Sequence, residues 1–370
     1  MVITFICDIY GEGGNGVVVS INRLKTELEK RNHEVRIVGC VGDGQKYNLD
    51  KRNFGVFNKI LKKNGVELAK PNDAVLISAI NDADIVHIAL PFKCGKRAAK
   101  LCRMCNKPFT ASYHIEPQTI LSHIGCANFD FINNLINKGY NKRLYQYANC
   151  IHCPTKTVAK KLFDLGYTSP MCIASNGVPS VFHVMSVERP EKYKDKICIL
   201  STGRLSKEKR HDIIIDGVAK SKYEYQIQLI FAGSGPQCYN ILRRAEKLTN
   251  KPVIKYFSQE ELARVNNYCD LYIHASDIEC EGLACVEAFS CGLVPIISNS
   301  KHSATREYAI FKENLFQQNN PYDLAKKIDF WIENRRAYEF ARKKYIDFGK
   351  NFSLDACVDK FEEMLKNAIK

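Results

Sequence analysis

Short apolar runs alternate along this chain with segments whose apolar positions recur every three or four residues. Strand-period and helix-period segments in alternation are the signature of parallel α/β sheets. In the first half the runs predict strands near 2–8, 34–40, 84–90, 108–114, 149–153 and 170–174, with helices near 16–31, 94–106, 128–148 and 155–165. In the second half they predict strands near 196–203, 225–233, 253–257, 270–275 and 293–298, with helices near 210–221, 237–248, 259–268 and 282–291. After residue 320 the pattern is purely helical, and the chain ends in the amphipathic run SLDACVDKFEEMLKNAIK.

One polar stretch, VMSVERPEKYKDK (184–196), interrupts the alternation and carries Pro190. It reads as an interdomain linker. A length of 370 residues is too great for one ordinary core and suits two domains. The expected organisation is therefore a Rossmann-like domain over 1–183, a linker over 184–196 and a second Rossmann-like domain over 197–350. A closing helix over 351–370 is expected to pack back towards the first domain. Two doubly wound sheets facing each other across a cleft would place ligands at the carboxyl ends of the strands.

Composition narrows the class. The chain is 45% hydrophobic and 25% charged, as a globular protein is, and no apolar run approaches the ~20 residues of a membrane-spanning helix. The opening MVITFICDIYGEGG lacks a basic leader and a small-residue cleavage site, so it reads as a buried strand followed by a glycine loop. Many of the 16 cysteines, such as Cys7, Cys40, Cys198 and Cys285, sit inside apolar runs as small hydrophobes. Reduced thiols and a cytoplasmic location follow as the expectation. The net charge of +14 points to polyanionic partners. Lys93, Lys96, Arg97, Lys100 and Arg103 recur at helical spacing, so the 93–107 helix suits peripheral contact with an anionic membrane at its inner face. A solvated basic face is the alternative reading. No zinc-finger, RNA-recognition or helix-turn-helix signature accompanies the charge, and nucleic acid is not expected as a partner.

Three constellations carry candidate chemistry. Gly11-Glu-Gly13-Gly14-Asn-Gly16 lies between a strand and a helix, where glycines let backbone amides approach a diphosphate. The acidic residue that a nicotinamide cofactor would need after the second strand is missing, because HEVRIVGC ends in Gly39-Cys40. A structural tight turn is the alternative there. Next, strand ICILST runs into Gly203-Arg204-Leu205-Ser206-Lys207-Glu208-Lys209. A guanidinium fork and an ammonium five residues apart across such a turn can converge on one anion. Last, Glu279-Cys-Glu-Gly282-Leu-Ala-Cys-Val-Glu287 follows strand DLYIHAS. The amides of Gly282, Leu283 and Ala284 would be free donors at a helix start, and Glu287 in an apolar helix calls for a polar partner such as a ribose diol.

In that order the glycine loop, the G-R-L-x-x-E-K turn (203–209), the G-S-G-P turn (233–236) and the E-x7-E segment (279–287) resemble the retaining family 4 glycosyltransferases of GT-B fold. SNGVPSVF (175–182) and CPTKTVAKKLFDLGY (153–167) fit the same family, and the likeness spans nearly the whole chain. The resemblance implies that Arg204 and Lys209, after Gly203, hold the donor diphosphate, and that Glu287 accepts from the ribose. It implies that Glu279 contacts the donor hexose, that His114 in SYHIEP lies near that sugar, and that Gly13 and Gly14 let the first domain approach the donor. Glu281 stands where the family usually has an apolar residue, so Glu279 and Glu281 both remain candidates for the hexose contact. The implied activity is transfer of a hexose from a nucleotide sugar, a UDP-sugar above all, with no cofactor and no metal.

SYHIEPQTILSHIG (112–125) and the following Phe129, Phe131, Ile132, Leu135 and Ile136 resemble members that glycosylate diacylglycerol or build surface polysaccharide, which implies a lipid or glycan acceptor. Ordinary core packing is the other account of those apolar residues. A nucleotide-sugar epimerase of the same architecture is the alternative function, and a membrane-surface scaffold without activity is a third. His114-Ile-Glu116 with Cys150-Ile-His-Cys153 imitates a zinc deaminase, but Asn149 stands where proline belongs.

Overall fold

The computed structural model describes residues 1–10, 16–42, 44–53, 55, 67–122 and 130–370, with the side chains of Ile120 and Ser122 excepted. Gly13 and Gly14, most of the first glycine loop, the tail of 112–125 and Phe129 lie outside the described residues. The chain divides into two compact units, Met1–Asn176 with Asp355–Lys370, and Gly177–Leu354.

In the first unit β1 (Val2–Ile6), β2 (Glu34–Val38), β3 (Ile85–Ile88), β4 (Phe109–Ser112), β5 (Cys150–Cys153) and β6 (Met171–Ile173) form one parallel sheet in the order β2-β1-β3-β4-β5-β6. Around it run α1 (Gly16–Lys30), α2 (Asp73–Asn81), α3 (Lys93–Met104), α4 (Pro117–Ser122), α5 (Asp130–Arg143) and α6 (Lys156–Asp164). The pattern did not predict α2. Its sequence DAVLISAIN is apolar almost throughout, so it shows no helical stripe, and the helix is marked instead by its Asn72 cap, which accepts from the amides of Ala74 and Val75.

The C-terminal helix Leu354–Ile369 belongs largely to this unit. Arg31 and His33 meet Glu362 at 3.4 and 3.0 Å. Phe361 packs edge-on against the buried rings of His87 and His152, with centroids 4.9 and 5.2 Å away.

Those rings belong to a buried chain of hydrogen bonds. Thr110 Oγ1 meets His87 Nδ1, His87 Nε2 meets Ser112 Oγ, Ser112 Oγ meets His152 Nδ1 and His152 Nε2 meets the Ala174 carbonyl, each at 2.8 Å. A carbonyl only accepts, so the chain runs one way: every hydroxyl donates towards Ala174 and each imidazole is neutral. Burial holds His152 down to about 4, against the bond to Ala174, and holds His87 well below the ordinary histidine value. A group whose folded pKa is depressed in this way binds its proton more readily when unfolded, so stability is complete above about pH 6.5 and is lost below it. The urea midpoint is expected to fall between pH 7 and pH 5 by the equivalent of about 2 kcal/mol per buried ring. A midpoint that does not move across that interval would contradict a neutral chain.

Helix α5 is packed inside out. Its buried face carries Asn133, Asn137 and Tyr140, while Phe131, Leu135 and Ile132 are 80%, 59% and 38% exposed. Asn137 accepts from the Tyr113 hydroxyl at 2.8 Å, and its carbonyl accepts from Tyr167 at 2.8 Å, so polar groups beneath the helix determine which face turns inward. Ordinary core packing therefore does not account for Phe131, Ile132 and Leu135.

In the second unit β7 (Ile197–Thr202), β8 (Ile227–Ala232), β9 (Val253–Lys255), β10 (Leu271–His274), β11 (Val294–Ser298) and β12 (Leu315–Phe316) form a parallel sheet in the order β12-β11-β10-β7-β8-β9. Its helices are α7 (His211–Val218), α8 (Cys238–Arg244), α9 (Gln259–Tyr268), α10 (Leu283–Ser290), α11 (Pro321–Glu333) and α12 (Arg335–Gly349). From β7 the strands advance one way through β8 and β9, then the other way from β10. The gap between the carboxyl ends of β7 and β10 is thus the topological switch point, where open α/β sheets bind ligands.

The stretch 184–196 is part of this unit rather than a free linker. Arg189 donates to the carbonyls of Lys196 and Tyr268 at 2.8 and 2.7 Å and to Asp270 at 2.8 Å, and Tyr193 is buried in the core. Its polar composition reflects this grip on the amino end of β10, which spacing alone does not reveal.

Candidate active site

Two loops meet at the switch point. The first leaves β7 as Gly203-Arg204, and its close fit to the 233–236 turn explains that turn's glycine. A β-carbon on Gly233 would stand 2.0 Å from the Gly203 carbonyl oxygen. Leu205, fully buried, donates from its amide to the Ser234 carbonyl at 2.8 Å and anchors the loop. Lys207–Lys209 then makes one 3-10 turn before α7.

Glu208 organises this turn. Its carboxylate accepts from the Ser206 hydroxyl and lies 3.4 Å from Arg204 Nη2. Burial would raise its pKa, but the Ser206 bond and the charges of Arg204 and Lys209 outweigh that and hold it low. Its carbonyl accepts from the Asp277 amide at 2.8 Å, tying the β7 loop to the loop after β10.

The second loop carries Glu279. Its amide donates to the His302 carbonyl at 3.2 Å and its carbonyl accepts from Ala304 at 2.9 Å, so its backbone is pinned before its side chain is used. The carboxylate forms an ion pair with Lys209 and lies 3.4 Å from His274 Nε2. Although burial opposes ionisation, Lys209 and then His274 hold Glu279 far below the usual carboxylate range. Glu281, two residues on in the same loop, is 5% exposed. Of the two acids that sequence left in competition, Glu279 is the one paired with Lys209.

Gly282 turns the chain into α10 with φ of +78° and no side-chain cap. Leu283 and Ala284 in the first turn are partly exposed, and their amides stand where a helix presents donors to an anion or hydroxyl. Glu287, one turn further and 7% exposed, shares the face of Leu283.

The structure thus brings Gly203, Arg204, Lys209, Glu279 and Gly282 to one end of one sheet, with Leu283, Ala284 and Glu287 following in α10. His114 lies in the first unit, just after β4, half-buried and edge-on to His152 with ring centroids 5.6 Å apart. Loss of hydration and the His152 ring hold it down to about 3. Sequence reasoning missed Glu208 and His274. The available signal for His274 was a titratable side chain at the carboxyl end of an apolar strand, five residues before Glu279.

Such a site can grip a diphosphate with Arg204 and Lys209 and sugar hydroxyls with carboxylates and amides. Comparison with known proteins matches residues 14–181 to the family model described as Glycosyltransferase Family 4, and residues 186–352 to that described as Glycosyl transferases group 1. An alpha-monoglucosyldiacylglycerol synthase of Streptococcus pneumoniae (strain ATCC BAA-255 / R6) is 24% identical over 81% of this chain and 71% of its own. One from Acholeplasma laidlawii is 24% identical over 76% of each. Among solved structures, Anabaena Alr3699/HepE in complex with UDP-glucose has a TM-score of 0.73 at 16% identity, over 99% of both chains, which shows a common fold.

Proposed function

We propose, since the chain belongs to the glycosyltransferases that join a Family 4 half to a group 1 half, that it moves a hexose from a UDP-sugar to a membrane lipid or a lipid-linked glycan, with retention and without a metal. The observation that carries this reading is the pairing of Lys209 with Glu279, beside Arg204, at the switch point of the second sheet. When the anomeric bond breaks, positive charge grows on the sugar and negative charge on the departing diphosphate. Arg204 and Lys209 supply fixed positive charge where the negative charge develops. Glu287 accepts from the ribose hydroxyls, and Glu279, with the Leu283 and Ala284 amides, holds the hexose. His114 at the hexose, and Gly13 and Gly14 beside the donor, complete the proposed set. The two diacylglycerol-acting relatives support a lipid acceptor, and the alpha linkage in their names supports retention from an α-linked donor.

The test incubates the protein in EDTA with UDP-glucose, UDP-galactose or UDP-N-acetylglucosamine, with and without diacylglycerol, glucosyldiacylglycerol or a sterol. Products are read by mass spectrometry and the new linkage by NMR. The expected result is an α-linked glycolipid formed only when acceptor is present. An epimerised UDP-sugar formed without acceptor would make the protein an isomerase, and vesicle binding without UDP binding would make it a scaffold.

Peripheral membrane contact at the cytoplasmic face through α3 is part of the same proposal. Among the described residues no helix is long and apolar enough to cross a membrane. Lys93, Lys100 and Arg103 of α3 are exposed, Arg103 with its guanidinium 3.6 Å over the Tyr147 ring, whereas Lys96 packs over the Tyr140 ring at 4.8 Å and Arg97 pairs with Asp73. The outward apolar face of α5 supports it further. Changing Lys93, Lys100 and Arg103 together to Ser is expected to weaken binding to vesicles containing phosphatidylglycerol by about 100-fold, at roughly 1 kcal/mol per cation. Equal flotation of variant and parent would remove α3 from the proposal.

A further inference from the structure

His274 is 3% exposed at the carboxyl end of β10 and has no part in the roles assigned above. Its Nδ1 lies 3.3 Å from the hydroxyl of Tyr272, two residues back on the same face of the strand. Nε2 faces the Glu279 carboxylate, which only accepts, so Nδ1 is left to accept from the Tyr272 hydroxyl. The proton of the imidazole then sits on Nε2. Nε2 is buried, has no aligned hydrogen-bond partner among the described residues, and lies 3.4 Å from Glu279 Oε1. The same oxygen holds Lys209.

Gly282 packs close to this nitrogen: a β-carbon there would be 3.3 Å from Nε2. Burial keeps the imidazole neutral even beside the Glu279 carboxylate. Tyr272 thus orients the ring of His274, and the ring presents Nε2 to Glu279 at the carboxyl end of β10.

We infer that His274 is a positioning residue that keeps the Glu279 carboxylate aimed at the donor hexose once Lys209 turns from Glu279 to the diphosphate. The inference rests on the donor roles proposed for Lys209 and Glu279. Lys209 and Glu279 neutralise each other in the ion pair, and one ammonium cannot serve a carboxylate and a diphosphate equally. When the diphosphate takes Lys209, a buried carboxylate without another donor would rotate or take up a proton. A neutral Nε2–H on a rigid strand holds it without adding a second positive charge to compete for the diphosphate.

His274→Gln and His274→Asn separate this role from a merely structural one. The glutamine amide nitrogen reaches the position of Nε2, whereas that of asparagine reaches only the position of Nδ1. Calorimetry with UDP and with UDP-glucose, together with kcat and KM, is measured for both variants and for Tyr272→Phe, alongside their melting temperatures. The expected result for His274→Asn is UDP affinity within about 2-fold of the parent and kcat reduced by roughly 10-fold or more, as for loss of an outer partner of a functional group. His274→Gln is expected to recover most of that loss, and Tyr272→Phe to fall between the two. Equal rates in the two His274 variants at equal melting temperature would overturn the assignment, as would a parallel loss of UDP affinity. A parent protein that binds neither UDP nor UDP-glucose would instead overturn the glycosyl-transfer reading beneath it.

Discussion

Lys209→Ala is expected to lower kcat by roughly 100-fold, the scale of removing one preorganised donor from a developing anion. It is also expected to destabilise the second unit, because Glu279 loses the cation that holds it ionised in a buried position. Breaking such a pair from one side costs about 3 kcal/mol where the remaining charge is fully buried, and less where it can take up a proton. Adding Glu279→Gln to Lys209→Ala separates the two effects. The double variant keeps an uncharged group of the same shape, so its melting temperature should return towards that of the parent while kcat stays low. Steady-state kinetics and calorimetric unfolding on the four proteins of this cycle decide the matter. A Lys209→Ala enzyme turning over near the parent rate would remove the diphosphate role. Recovery of activity in the double variant would mean that the ion pair serves the fold alone. Arg204→Ala is expected to lose activity with less effect on stability, since Arg204 is 33% exposed and its Nη2 lies 3.4 Å from Glu208.

The contrast between these two cations was not legible in the sequence. Spacing across a strand-to-helix turn brought Arg204 and Lys209 forward together as one clamp. Lys209 and Glu279 lie 70 residues apart, and nothing in the 3.6-residue or two-residue period says that their loops share an end of a sheet. That follows from the strand order, in which β10 returns beside β7 with Leu271 opposite Ile199 and Tyr272 opposite Leu200. Most of the elements were legible, because most strands are short apolar runs and most long helices amphipathic, whereas α2, α4 and β12 carry no such period. Where the reading departed from the structure, polar partners had overridden composition. Arg189 draws 184–196 onto the second unit, and Asn133 and Asn137 turn α5 so that Phe131 faces outward. Buried polar groups claim hydrogen bonds before apolar ones claim burial, since an unmade bond costs more than an exposed methyl group gains by burial.

Gly282 is where backbone conformation and site meet, and Gly282→Ala is expected to be among the most damaging single substitutions in the second unit. A left-handed residue with a β-carbon costs about 1 kcal/mol by itself. Here that carbon would also stand 2.1 Å from Cγ2 of Thr305, which is fully buried and cannot swing away. Overpacking of that kind adds about 1–3 kcal/mol, for a total of roughly 2–4 kcal/mol on urea unfolding. Relief of the clash would push the start of α10 outward, carrying the Leu283 and Ala284 amides away from Glu279, so UDP-glucose affinity should fall with stability. Thr305→Ser removes the offending methyl and keeps the hydroxyl that bonds Ser303 at 2.6 Å. Combined with Gly282→Ala, it should restore stability to within about 1 kcal/mol of the parent, leaving only the backbone strain. If the double variant is no more stable than Gly282→Ala alone, the conformation at Gly282 and not its contact with Thr305 carries the effect. If Gly282→Ala unfolds and binds as the parent does, the loop after β10 is not held in the geometry on which the hexose contact of Glu279 depends.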